Sequence, residues 1–145
     1  MNTNDTMVLW NDLVNITPTP VRFQIPRFFS ENDITEFGTI LVENLPDSFL
    51  EWFKRIEKEL CKDFPTYDSK IGSSGIHVKC IQGFTQYFDS AHQLIFDDTP
   101  PSLKSATLDC IVEVNPYGPF KGRYGIYLKM YQCCIVNRII PECLI

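Results

Sequence analysis

Two long runs in the second half of the chain alternate apolar and polar residues with a period of two, and they constrain the fold more than any other feature. In residues 107–115, Leu108, Cys110, Val112 and Val114 fall on one side, with Asp109, Ile111 and Glu113 on the other. In residues 124–136, Tyr124, Ile126, Leu128 and Met130 share one face, and Arg123, Tyr127, Lys129 and Tyr131 share the opposite one. This period belongs to strands with one face turned to a core. The intervening PYGPFKG, residues 116–122, reads as the turn region. The second run is expected to bend or bulge near Cys133.

The remaining pattern fits around this pair. Residues 76–82 read as a strand with Ile76, Val78 and Cys80 inward and His77 and Lys79 outward. Residues 84–88 and 93–96 flank the short DSAH connection and predict a hairpin. Residues 38–45 read as a further strand. One helix is expected over 48–64, where Phe49, Trp52, Phe53, Ile56, Leu60 and Phe64 form an apolar stripe. Ser48 and Glu51 have capping-box spacing ahead of it, and Pro65 is expected to stop it. Residues 15–29 carry Pro18, Pro20 and Pro26, which argue against a helix interior or a central strand. They read as an extended arm with Val21, Phe23 and Ile25 on one side. Strands joined by short turns favour a small antiparallel barrel, which removes unpaired edges. With 145 residues, 44% hydrophobic and 21% charged, the chain is expected to form a single globular domain over 1–145, with 75–136 as its barrel strands.

The formal charge of -5 is uneven. Residues 1–65 hold 6 basic and 11 acidic side chains, whereas residues 66–145 hold 7 of each. The second half is therefore free to carry a local positive face. No run of 18 apolar residues predicts a membrane span. The N-terminal MNTNDTMVLW lacks a basic n-region, so a secretory signal is not expected. The six cysteines, Cys61, Cys80, Cys110, Cys133, Cys134 and Cys143, read as small buried hydrophobes in an intracellular, reducing compartment. Without a CxxC pair and with only His77 and His92, no metal or other cofactor is expected.

The chemistry concentrates in residues 115–131, NPYGPFKGRYGIYLKMY. One face alternates rings and cations through Arg123, Tyr127, Lys129 and Tyr131, and Phe120 and Lys121 extend it into the turn. Lys79, outward on the earlier strand, would join it if that strand is adjacent. Rings stack on unpaired bases and cations neutralise phosphates, so this surface suits single-stranded DNA or RNA. Tyr and Phe also favour ordinary strands, and Lys and Arg ordinarily solubilise an outer sheet face, so the pattern alone leaves both readings open.

Enzyme signatures are weaker. A phosphate loop, a G-x-S-x-G elbow and an H-E-x-x-H helix are absent. Asp109 and Glu113 share a strand face, but four residues of strand rise put them about 13 Å apart, too far to share one metal ion. No catalytic residue is assigned.

The strand GIHVKC at 75–80, the hairpin TQYFDSAHQLIF at 85–96, the strand LDCIVEV at 108–114 and the segment FKGRYGIYLKMYQCCIV at 120–136 together resemble a known family. It is the oligonucleotide/oligosaccharide-binding (OB) barrel of single-stranded-DNA-binding proteins from large DNA viruses and their relatives. The resemblance covers about 60 residues. It implies a non-enzymatic coat for exposed strands in viral replication or recombination, with Phe120, Lys121, Arg123, Tyr127, Lys129 and Tyr131 as its contacts. The chain departs from that family in its ending, PECLI, where many members carry an acidic tail, and in the arm and helix ahead of the barrel strands. The rival reading is a viral structural or protein-interaction module. It would form a homo-oligomer through the arm at 15–29 or the apolar tail at 139–145.

Overall fold

A computed structural model describes residues 16–18, 21–72, 75–95 and 99–138. Seven strands and one helix follow in the order β1 (Ile16–Pro18), β2 (Val21–Ser30), β3 (Thr39–Val42), α1 (Asp47–Leu60), β4 (Ile76–Lys79), β5 (Gln86–Phe88), β6 (Ala106–Phe120) and β7 (Arg123–Arg138). The strands form one sheet in the order β1-β2-β6-β7-β4-β3, with β5 also paired to β7. Most neighbours are antiparallel, but β4 and β5 both add to β7 in parallel. The expected hairpin at 84–96 is thus only partly formed. Its turn closes through Asp89 and Gln93 with a bridge from Phe88 to Leu94, while its first arm pairs with β7.

The alternation holds where it was strongest. Leu108, Cys110, Val112 and Val114 of β6 join Ile126, Leu128 and Met130 of β7 in the main core. Residues from well-separated strands of that order, Phe23 and Ile25 of β2 and Ile40 and Val42 of the edge strand β3, enter the same core, so the sheet wraps around it. The turn is shorter than expected. Strand pairing runs out to Phe120–Arg123, and only Lys121 and Gly122 turn the chain. Their φ values of 51° and 77° are both positive, the geometry that matches a tight two-residue hairpin. The second strand is bulged as anticipated. Ile111 pairs Gln132 and Val112 pairs Met130, which leaves Tyr131 as the extra residue.

Over 21–29 the proline-rich segment is extended and packs across the domain rather than reaching outward. It is β2, hydrogen-bonded to β6, and its Phe23, Ile25 and Phe28 are buried. Pro26 lies within the register break between Ile25 and Phe28, where its missing N–H removes no ladder bond. The apolar side offered for assembly is therefore used inside the domain. The tail at 139–145 lies outside the described residues.

Helix α1 covers the core beside β2. Phe23 is 1% exposed, and its ring centroid lies 5.1 Å from Trp52, 5.9 Å from Phe53 and 6.1 Å from Phe49. The expected capping box does not form, because the N-cap is Pro46 and no side chain caps the helix. The helix ends at Leu60 rather than at Pro65. Phe64 packs instead on Tyr124 of β7, with centroids 4.8 Å apart.

Cys61, Cys80, Cys110, Cys133 and Cys134 are free thiols. Burial pushes Cys80 and Cys134 up to about 12, so these side chains behave as inert packing groups.

Candidate nucleic-acid interface

Strand pairing lines up a row of charged side chains across the outer face of the sheet. Arg22 of β2 pairs Glu113 of β6, Glu113 pairs Lys129 of β7, and Lys129 pairs Lys79 of β4. Directly paired residues point to the same side of a sheet, so four neighbouring strands contribute one transverse row. Glu113 organises it. Its Oε1 accepts from Arg22 Nε at 2.9 Å, and its Oε2 lies 3.1 Å from Lys129 Nζ. Burial raises the Glu113 carboxyl, but hydrogen bonds and charge from Lys129 and Arg22 outweigh that and hold it below the usual carboxylate value. Lys79 Nζ donates to the Phe37 carbonyl at 2.6 Å.

Rings flank the row. Tyr127, paired with Asn115, is 39% exposed. Lys129 Nζ lies 4.6 Å from the centroid of Phe84, from the turn after β4. The Arg22 guanidinium covers one face of Tyr131 at 3.7 Å, and Tyr131 also packs on Phe84 and against the buried cluster formed by Phe88, Ile111 and Cys134. Tyr131 is thus a support for Arg22 more than an open stacking platform. The outward Ile111 is fully buried beneath this cluster.

The hairpin tip carries the rest. Phe120, 64% exposed, has Lys121 Nζ 5.5 Å from its ring centroid. Arg123 is paired to Asp68, Nε to Oδ2 at 2.8 Å. Tyr117 lies against Gly125, where an added Cβ would meet its ring and the Asp68 carbonyl at 3.1 Å. The hairpin at this point needs glycine for close approach.

The seven residues singled out from sequence therefore fall into two groups. Lys79, Lys129, Tyr127 and Tyr131 come together over β4, β7 and β6, and Phe120, Lys121 and Arg123 lie at the tip. Helix α1 packs on the core side, against Phe23, and does not cover Tyr127. Sequence reading missed Arg22, Phe84 and the organising role of Glu113. Arg22 sits between the partly buried Val21 and the core residue Phe23, so outward alternation marks it, but its neighbour Glu113 is 91 residues away. No local pattern marks Phe84.

Acidic residues considered for metal chemistry are held by arginines instead. Asp109 accepts from Arg27 Nε and Nη2 at 2.9 and 2.8 Å, and Glu113 is bound as described. A cleft of about 750 Å³ lies beyond the row, lined by residues 34–36, 38, 80–87, 94–95 and 99–100, and meets it at Phe84. Among the described residues no helix is long and apolar enough to cross a membrane.

A mainly β sheet wrapped on one core, with a single helix against it, is a small OB-like fold. The structure is similar to that of gp2.5, a single-stranded DNA binding protein encoded by bacteriophage T7. The match covers 83% of this chain and 93% of that one, with a TM-score of 0.52 and 12% identity, a likeness of fold. No family model matches the chain, and no curated protein matches it by sequence.

Proposed function

We propose that this chain binds single-stranded DNA on the outer face of β6 and β7, without making or breaking covalent bonds. The row Arg22–Glu113–Lys129–Lys79 beside the exposed Tyr127 carries the reading. Glu113 pre-orders two cations at a fixed spacing, so fewer side-chain rotamers remain to be frozen when phosphates arrive. Tyr127 and the tip residue Phe120 offer exposed ring faces to bases, each worth about 1–3 kcal/mol of stacking. Lys121 and Arg123 extend the positive charge along the hairpin. No side chain is assigned to base edges, so binding would be indifferent to sequence and would weaken with salt. Similarity in fold to a phage single-stranded DNA binding protein supports the reading, and a place in viral replication or recombination would follow from it.

The test is a fluorescence-anisotropy titration of a labelled oligonucleotide at low salt with Tyr127→Ala combined with Lys129→Ala. Affinity is expected to fall about tenfold or more, from one lost stacking contact and one lost phosphate contact. Unchanged affinity in a variant with the native circular-dichroism spectrum would remove these residues from the interface.

A further inference from the structure

The charged face of α1 carries a feature that helix stability does not account for. Lys54 and Lys58 are four residues apart, a spacing at which like charges destabilise a helix. Among the described residues no ion pair holds Lys54, Arg55 or Lys58, whereas Lys62 of the turn that follows is neutralised by Glu59 at 2.8 Å. The three free cations line one hollow of about 360 Å³ with Glu57, Tyr67 and Ser69.

The hollow has a built wall. Glu57 is 1% exposed, and its carboxylate accepts from the Ser69 hydroxyl and the Lys70 backbone N–H. This ties residues 69–70 to the helix and holds Tyr67 beside the cations. Lys70, half-buried next to Glu57, adds a fourth positive charge around that single carboxylate. The same loop is stitched to the hairpin. The Asp68 backbone N–H donates to the Tyr124 carbonyl at 2.8 Å, and its side chain holds Arg123. Tyr67 in the hollow and Asp68 at the hairpin are consecutive residues, so the two surfaces adjoin.

We infer that Lys54, Arg55 and Lys58, walled by Tyr67, form a second phosphate site that takes the backbone of the same DNA strand as it leaves the β6–β7 hairpin past Arg123. This rests on the reading of the hairpin as a single-strand interface and extends it around the domain. Phosphates would relieve the repulsion between Lys54 and Lys58, and Tyr67 would limit how deeply the backbone enters. The first half of the chain, acidic in sum, would thus present a local positive face on its helix.

Oligothymidylate probes of two lengths separate this site from the first. A probe of about 5 nucleotides spans the β6–β7 face alone, and one of about 16 reaches α1, within the range a single OB domain covers. In anisotropy titrations of the full chain, Lys54→Gln with Lys58→Gln is expected to bind the short probe like the wild type. It is expected to bind the long probe about tenfold more weakly, with a log–log salt slope shallower by about 1.4, as two lost single-strand phosphate contacts require. Lys62→Gln, which removes a cation already paired to Glu59, is expected to change neither. Wild-type affinity and slope for the long probe in the double variant would overturn the second site. So would an equal loss in Lys62→Gln, because helix charge in general would then be acting. A wild-type chain that binds neither probe would overturn the hairpin reading itself. All three positions are exposed, and cooperative thermal unfolding with a midpoint close to or above that of the wild type shows that the variants fold.

Discussion

The root and the tip of the β6–β7 hairpin are built from the same two strands but meet different surroundings. At the root, residues 106–114 and 128–135, the inner face enters the main core, and much of the outer face lies beneath Phe88, Leu94 and Tyr131. Charges there are buried and paired, as with Asp109 on Arg27 and Glu113 between Arg22 and Lys129. At the tip, Tyr117, Phe120 and Lys121 lie exposed beyond the sheet's other strands. One antiparallel ladder is thus an anchor at one end and an exposed surface at the other. The row at Glu113 is the border, where ordered charge first meets water.

Three substitutions sharpen that contrast. Phe23→Ala removes a ring buried against three aromatic side chains of α1 and is expected to cost about 3–5 kcal/mol in urea denaturation. A loss below about 1 kcal/mol would mean that the core beneath the root is not packed as described.

Glu113→Gln acts at the border. It keeps the shape but loses the charge between Arg22 and Lys129, both of which retain access to water, so an intermediate cost of about 1–2 kcal/mol is expected. The folded-state pKa of Glu113 is depressed below its ordinary 4.5, so its contribution is present above that value and is lost as pH falls through the folded pKa. Asp33 acts in the same sense. Burial raises its carboxyl, but hydrogen bonds from Leu103, Ile34 and Ser102 and the charge of Arg138 bring it below 3.8. Thermal midpoints of the wild type are therefore expected to fall on acidification below about pH 4.5, and those of Glu113→Gln to fall less steeply. Parallel curves would show that Glu113 is not stabilised by its partners.

Phe120→Ala acts at the tip. Its ring touches no core, so stability is expected to stay within about 0.5 kcal/mol while oligonucleotide affinity falls. A large loss of stability would make the tip part of the anchor and erase the contrast.

How much of this was legible in the sequence follows the same division. The two runs of alternation are local signals, and they placed Leu108, Val112, Leu128 and Met130 inside and Tyr127 and Lys129 outside. The bulge near Cys133 was also legible, because inward Met130 and inward Cys133 are an odd number of residues apart. Pairing between distant segments was not. The contact of Arg22 with Glu113 spans 91 residues, and the parallel addition of β4 and β5 to β7 leaves no periodic trace. The prolines misdirected the reading of β2, since a register break at Pro26 lets an otherwise ordinary core strand carry one. Tyr131 looks like an open ring in the sequence, because nothing local indicates that an arginine from another strand lies on its face.

The central claim is that a strand of DNA lies on the outer face of β6 and β7. Photo-cross-linking of a DNA oligonucleotide carrying 5-iodo-2′-deoxyuridine to the full chain, with adducts located by mass spectrometry, tests it most directly. Adducts are expected at Tyr127 and Phe120. Adducts confined to the cleft at Ile34, Thr35, Leu94 and Ile95, with both of those rings unmodified, would contradict it.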